Sequence, residues 1–129
     1  MARLFLDVLQ VNRRIGRFQL HEYVVMPNHF HLLITPASKV SLEKALQYIK
    51  GGFSYRVKKE LTLNFKIWEP SFTNHRIRDK EDYERHRIYI HQNPVKARLV
   101  EKPELYEYSS AFPGAELDAA PPGLKPNSS

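Results

Sequence analysis

The chain has 129 residues, enough for one domain with a hydrophobic core and too few for two independent ones. It contains no cysteine, which excludes disulfides, cysteine zinc sites and thiol nucleophiles, so a metal would need histidine, carboxylate or amide ligands. Lys and Arg outnumber Asp and Glu by 20 to 14, and the net charge of +6 favours a polyanionic partner such as nucleic acid, with simple solubility as the alternative.

The N-terminal third of the sequence predicts a helix followed by a β-hairpin. Apolar residues recur at helical spacing over residues 3–14, and Gly16 supplies a helix stop. Two β-rich runs, residues 18–26 and 29–35, are separated by Pro27 and Asn28, a pair that favours a tight reversal. No apolar run approaches the roughly 20 residues of a membrane span, and no signal-peptide pattern is present. We therefore expect a cytoplasmic protein without a membrane partner.

The second strand of this hairpin carries the main chemical signal. Side chains alternate along a strand, so His29 and His31 share one face with Leu33 and Thr35, while the apolar residues between them point to the other face. Two histidines at this spacing place their Cβ atoms about 6.5 to 7 Å apart, close enough for both rings to bind one cation. The alternative is a pair of half-buried or solvated histidines without a ligand role.

A second helix is predicted from the N-cap residue Ser41 onward, with an apolar stripe that ends at Val57. Gly51 and Gly52 interrupt its interior, which indicates a kink or a close approach of the backbone to another element. Basic and aromatic side chains surround the two glycines, a mixture that favours DNA contacts about as well as a plain solvated face. These residues are Lys44, Tyr48, Lys50, Tyr55, Arg56, Lys58 and Lys59.

The remaining chain predicts one or two short strands over residues 61–73 and a third helix that begins near Asp79 and stops before Pro94. The packing side of that helix is predicted to carry Tyr83, Arg87, Ile90 and Pro94. Tyr89 falls instead on the polar side, together with Asp82, Arg85, His86 and Asn93. We expect the domain to cover residues 1–112 and the tail, residues 113–129, to be disordered.

Two stretches together resemble one family. Residues 25–33, which read Val-Met-Pro-Asn-His-Phe-His-Leu-Leu, are similar to the HUH motif in the form used by REP-associated tyrosine transposases. Residues 78–97 resemble the tyrosine helix of that family and its Asn-Pro ending. The resemblance covers roughly residues 16–111, and two long motifs in the right order make a chance match a poor explanation.

The resemblance implies an α+β fold of ferredoxin-like or RRM-like type, an antiparallel sheet with helices packed on one face. It implies cleavage and rejoining of single-stranded DNA at hairpin-containing repeats through a 5′-phosphotyrosine intermediate. Tyr89 matches the nucleophile, His29 and His31 match the metal ligands, and Asn93 occupies the place of a third, amide ligand. The ion would be Mg²⁺ or Mn²⁺, since open positions must remain for the substrate. The expected DNA contacts are Lys50, Arg56, Lys58, Lys59, Arg85 and Lys96.

The sequence departs from the family pattern at its start, because members normally begin with another strand before the first helix. We therefore expect the N-terminal strand to be missing here, which would leave unpaired sheet edges and favour a homodimer. Two other functions stay open: a non-catalytic nucleic-acid binder with a vestigial histidine pair, and a metal-dependent nuclease in which water attacks. His75, His86 and His91 are expected at solvated or DNA-contacting positions.

Overall fold

The computed structural model describes residues 2–60 and 77–121, with residues 58–60 described as helix backbone only. Helix α1 spans Ala2–Ile15, and strands β1 and β2 span Phe18–Val25 and Phe30–Pro36. Helix α2 spans Leu42–Glu60, helix α3 spans Lys80–Lys96, and a single 3₁₀ turn covers Pro103–Leu105. The strands predicted over residues 61–73, together with His75, lie outside the described residues. No helix in the described ranges is long and apolar enough to cross a membrane.

The predicted hairpin is confirmed. Strands β1 and β2 pair antiparallel from Phe18 opposite Pro36 to Val25 opposite Phe30, and the Met26 amide donates to the His29 carbonyl at 2.7 Å to close the turn. A β-bulge lies between Leu20 and Glu22, where the register shifts by one residue.

Helices α1 and α2 cover one face of the hairpin and build the main core with it. Phe5 of α1 stacks against Phe30 of β2 and Phe53 of α2, with ring centroids 4.5 and 5.3 Å away. Ser41 caps α2 as predicted, since its hydroxyl accepts from the Lys44 amide at 3.0 Å. Of the two explanations for the glycine pair, the structure supports close approach: α2 continues through both glycines, and a Cβ on Gly52 would lie 3.0 Å from Val8 Cγ1.

Helix α3 lies on the opposite face, so the helices do not share one face as expected, although the α+β class with an antiparallel sheet is confirmed. A second apolar cluster joins Val24 and Leu33 of the hairpin to Tyr83 and Ile90 of α3. The physical reason is that the second face of the hairpin also carries apolar side chains, Val24 and Leu33, which must be buried against another element. The histidine face of β2 is therefore the face that α3 covers.

The two ends of α3 were predicted with different success. Its N-cap is confirmed, because the Asp79 carboxylate accepts from the Asp82 amide at 2.8 Å. The predicted stop before Pro94 is wrong: the helix includes the buried Pro94 and ends at Lys96. Pro94 lies in the last turn, where its missing N–H removes one hydrogen bond, and the Ala97 amide still bonds to the Asn93 carbonyl at 3.0 Å.

A C-terminal strap, defined here as residues 106–119, runs along the free edge of β1. The Val25 amide donates to the Tyr108 carbonyl at 2.8 Å, and the Ser110 amide donates to the Tyr23 carbonyl at 2.9 Å. Farther along, the Asp118 amide donates to the Leu20 carbonyl, and the Asp118 carboxylate accepts from the Leu20 amide, both at 2.8 Å. Asp118 lies in the stretch for which the sequence predicts disorder, and these hydrogen bonds offset part of the entropy lost when it is ordered. Residues 122–129 lie outside the described part of the chain.

Candidate active site

Strand β2, the residue that precedes it and helix α3 bring together the four side chains that the sequence analysis singled out, namely His29, His31, Tyr89 and Asn93. The ring of Tyr89 lies 5.1 Å from that of His31, centroid to centroid, at an interplanar angle of 82°. The His29 ring lies 5.2 Å from the His31 ring, and His29 Nε2 lies 3.3 Å from Asn93 Oδ1. The site is therefore formed by the packing of α3 on the histidine face of the hairpin.

Helical periodicity explains why α3 presents both of its residues to this site. Tyr89 and Asn93 are four positions apart and so lie on one side of the helix, one turn from each other. Tyr89 is 46% exposed, as its predicted place on the polar side requires, whereas Asn93 is buried. The phenol is thus open to a substrate while the amide lies at the floor of the site.

Asp82 was also predicted on the polar side, but it is buried, with a relative exposure of 2%. Its carboxylate accepts a hydrogen bond from the Arg78 amide at 3.0 Å and lies 3.3 Å from the guanidinium of Arg85. Asp82 also holds His86, whose Nδ1 lies 2.8 Å from the Asp82 carbonyl and 3.4 Å from its carboxylate. These partners satisfy the buried charge and stabilise the first turns of α3.

The electrostatics of the site favour a neutral imidazole at His31. Burial lowers the pKa of His31 below 6.5, and the nearby His29 and His86 lower this pKa further. A neutral imidazole is the form that binds metals. The ammonium of Lys96 also lies near the phenol, 5.6 Å from the centroid of the Tyr89 ring, a position suited to neutralising an anion there.

The donor set fits a small divalent cation with open positions. Neighbouring ligands at about 2.1 Å from an octahedral ion are roughly 3 Å apart, close to the 3.3 Å between His29 Nε2 and Asn93 Oδ1. His29 Nδ1 lies 2.8 Å from Asn28 Oδ1, an outer contact that orients the ring. Within residues 2–60 and 77–121 no three or more His, Cys, Asp or Glu side chains form a metal-binding group. The Asn93 amide is a further oxygen donor beside His29.

The residues predicted to contact DNA fall into two groups. Lys96 and Arg85 lie on α3 with Tyr89, and Arg85 forms ion pairs with Glu81 at 3.2 Å and Asp82 at 3.3 Å. The remaining four lie on α2, which packs on the other face of the hairpin; they are Lys50, Arg56, Lys58 and Lys59. The structure therefore brings Lys96 to the site and leaves the α2 group away from it.

One cluster near the site was missed by the sequence analysis. His91, expected at a solvated or DNA-contacting position, is largely buried, and its Nε2 lies 2.6 Å from the carboxylate of Glu22. Ser110 of the C-terminal strap donates to the same carboxylate oxygen at 2.7 Å. The one carboxylate within a strand that is mostly buried was the signal in the sequence that pointed to such a partner.

Comparison with known proteins places this domain among transposases. Residues 2–93 match the family model described as "Transposase IS200 like". The chain is 31% identical over 99 residues to the REP-associated tyrosine transposase of Escherichia coli K12, covering 76% of this chain and 57% of that protein. It is 32% identical over 103 residues to a protein of the same family name from Haemophilus influenzae Rd, covering 72% of this chain and 58% of that protein.

A solved structure of a REP-associated tyrosine transposase bound to a REP hairpin is also similar. Its TM-score is 0.69 over 97% of this chain and 79% of that chain, at 24% sequence identity, which shows that the fold is shared. The fold and the matched sequence define the class as a transposase domain of α+β type. The chain belongs to the IS200-like transposase family. It spans a little under three fifths of the length of the curated relatives it matches.

Proposed function

We propose that this domain binds hairpin-containing single-stranded DNA and cleaves and rejoins one strand through a covalent bond to Tyr89. The observation that carries the proposal is the convergence of Tyr89, His31, His29 and Asn93, which come from two elements and meet on one face of the hairpin. Tyr89 combines exposure to solvent with a neighbouring imidazole and a neighbouring ammonium.

In the proposed reaction the Tyr89 oxygen attacks the phosphorus of the scissile phosphodiester. A bond forms between that oxygen and phosphorus, the bond from phosphorus to the 3′-oxygen breaks, and the 3′-oxygen takes a proton from solvent and leaves as a hydroxyl. The phenol proton passes to solvent, and the 5′-phosphate stays on the tyrosine. Attack of a 3′-hydroxyl on this phosphotyrosine reverses the step and rejoins the strand, so no external energy source is needed.

The side chains around Tyr89 have separate tasks in this reaction. His29, His31 and Asn93 would hold Mg²⁺ or Mn²⁺, which supplies charge neutralisation for the scissile phosphate when bound. Lys96 offers a second positive charge near the ring of Tyr89, the residue to which the phosphate becomes attached. The +6 net charge of the chain favours association with the DNA backbone. The hairpin in the related solved structure supports a hairpin as the substrate.

The test is to incubate the protein with labelled single-stranded oligonucleotides that carry hairpin repeats from its own genomic neighbourhood, with Mn²⁺ or with EDTA. We expect a Mn²⁺-dependent protein–DNA adduct that survives denaturation and disappears in Tyr89→Phe, while the affinity for the hairpin is retained. Tyr55→Phe serves as the control, because Tyr55 is also well exposed but lies on α2. Cleavage with free 5′-phosphate ends in Tyr89→Phe would identify water as the nucleophile, and binding without adduct or cleavage would identify a non-catalytic binder.

A further inference from the structure

Three side chains from three separate segments meet on the α3 face of β1. Glu22 comes from β1, His91 from α3 and Ser110 from the C-terminal strap. One carboxylate oxygen, Glu22 Oε1, lies 2.6 Å from His91 Nε2 and accepts from Ser110 Oγ at 2.7 Å. Ser110 Oγ also lies 3.4 Å from His91 Nε2, so the three groups form a closed cluster. We call it the Glu22 cluster.

The Glu22 cluster is a strong tether because it is shielded from water. The relative solvent exposure of the side chain is only 13% for Glu22 and 19% for His91, and Ser110 is buried. Ser110 is itself fixed to β1, since its hydroxyl accepts from the Tyr23 amide at 3.1 Å. Hydrogen bonds to a charged group in such surroundings are short and costly to leave unmade.

The cluster contacts α3 on the side of the helix that lies opposite Tyr89. Ile90 is buried and faces the sheet, and successive residues are 100° apart around a helix, so Tyr89 and His91 lie on its two sides. On one side His91 reaches Glu22 of β1, and on the other side Tyr89 reaches His31 of β2. A rotation of α3 about its axis therefore cannot move Tyr89 without breaking the Glu22–His91 contact.

A small rotation is enough to matter. A side-chain atom about 6 Å from the helix axis moves roughly 1 Å when the helix turns by about 10°. A displacement of about 1 Å at reacting groups costs on the order of a hundredfold in rate. Asn93 lies on the same side of α3 as Tyr89, so the same rotation would separate its oxygen from His29 Nε2.

We propose that Glu22, His91 and Ser110 are positioning residues that fix the rotation of α3 and thereby hold Tyr89 against His31. The catalytic part of this inference rests on the function proposed above, whereas the structural part concerns only the placement of the two rings. The cluster does not touch the site itself, so the DNA affinity does not depend on it.

The first arm of the test measures the rate of adduct formation at saturating hairpin oligonucleotide with Mn²⁺. Glu22→Ala should lower this rate at least tenfold with little change in the hairpin Kd, and Glu22→Gln, which keeps an acceptor for His91 and Ser110, should recover most of the rate. Asp118→Asn is the matched control, because it weakens a different contact between the strap and β1. A rate that follows the melting temperature equally in all three variants would show a merely structural cluster and overturn the proposal.

The second arm does not require a reaction. In the unmodified protein, proximity of the His31 and Tyr89 rings should give cross-relaxation between their ring protons in NMR spectra. We expect this signal to be lost in Glu22→Ala and kept in Glu22→Gln and Asp118→Asn. If the signal persists in a folded Glu22→Ala, the positioning role is wrong. If the unmodified protein forms no adduct, the proposed function fails, and the NMR comparison still decides the role of the cluster.

Discussion

His29 Nε2 lies 3.3 Å from Asn93 Oδ1, although the two residues are 64 positions apart in the sequence. This distance joins the histidine that directly precedes β2 to the last full turn of α3, on the face where Tyr89 is exposed. In the proposed metal site this amide would be the third ligand beside His29 and His31, and its role can be tested apart from the chemistry of the tyrosine.

Asn93→Ala should lower the affinity for Mn²⁺ at least about tenfold, because one of three protein ligands is removed. Isothermal titration of the DNA-free protein measures this directly. Gln92→Ala is the matched control, since the neighbouring amide points about 100° away around the helix. Equal Mn²⁺ affinities for Asn93→Ala and the unmodified protein would exclude Asn93 from the ligand set.

Lys96→Gln should slow adduct formation at saturating DNA about fivefold. The ammonium is exposed and 5.6 Å from the Tyr89 ring, where loss of a positive charge near a developing anion is worth roughly 1 kcal/mol. Lys96→Arg keeps the charge and should restore the rate. Lys39→Gln, in the loop after β2, removes an exposed charge away from the site and controls for general attraction to DNA. An equal slowing in both glutamine variants would contradict a local role for Lys96.

Tyr83 should make the protein sensitive to alkali. Burial, with a smaller contribution from the charge of Glu22, raises the pKa of Tyr83 from 10.0 to about 12. A phenol whose pKa is raised on folding stabilises the native state below pH 10.0, and this stabilisation is lost as the pH rises toward about 12.

Tyr83→Phe should therefore reduce the loss of melting temperature between neutral and strongly alkaline solution. Thermal unfolding across the pH range measures it, and Tyr55→Phe, at an exposed position, should follow the unmodified protein. Identical pH profiles for Tyr83→Phe and the unmodified protein would show that ionisation of this phenol does not limit alkaline stability.

Gly51→Ala and Gly52→Ala form a matched pair within one helix. Alanine is favoured over glycine in a helix interior by about 0.5–1 kcal/mol, and a Cβ on Gly51 would meet no atom within 4 Å. A Cβ on Gly52 would lie 3.0 Å from Cγ1 of the buried Val8, so overpacking offsets the gain there. Urea unfolding should show a higher free energy of unfolding for Gly51→Ala than for Gly52→Ala. The reverse order would place the tight helix contact at Gly51.

Local patterns in the sequence were sufficient for some of the structure. Period-two alternation put His29 and His31 on one face, period 3.6 put Tyr89 and Asn93 on one side of α3, and the resemblance to a family indicated that the two belong together. The N-cap at Asp79 also depends only on neighbouring residues. Each of these features depends on residues within a few positions of one another.

The features that could not be predicted depend on contacts between distant segments. The face covered by α3, the Glu22–His91 contact across 69 positions and the Leu20–Asp118 contact across 98 positions have no local signature. The composition after residue 113 predicts disorder, because composition alone contains no information about hydrogen bonds to a distant strand edge. Pro94 predicts the end of a helix from sequence alone, although a proline in the last turn of a helix removes only one hydrogen bond.

The bulge beside Glu22 changes which side chains of β1 point to each face of the sheet. Leu20 and Tyr23 are an odd number of residues apart, yet both belong to the core formed with α1 and α2. The extra residue, His21, absorbs the mismatch and lies toward Thr35 and Tyr83 on the other face. Deleting this one residue would restore strict alternation with Leu20 and Glu22 still on opposite sides, so it would remove only the side chain that His21 adds to the α3 face. The bulge thus lets one strand of eight residues place two consecutive polar side chains, His21 and Glu22, on the α3 face while Leu20 and Tyr23 both stay in the core.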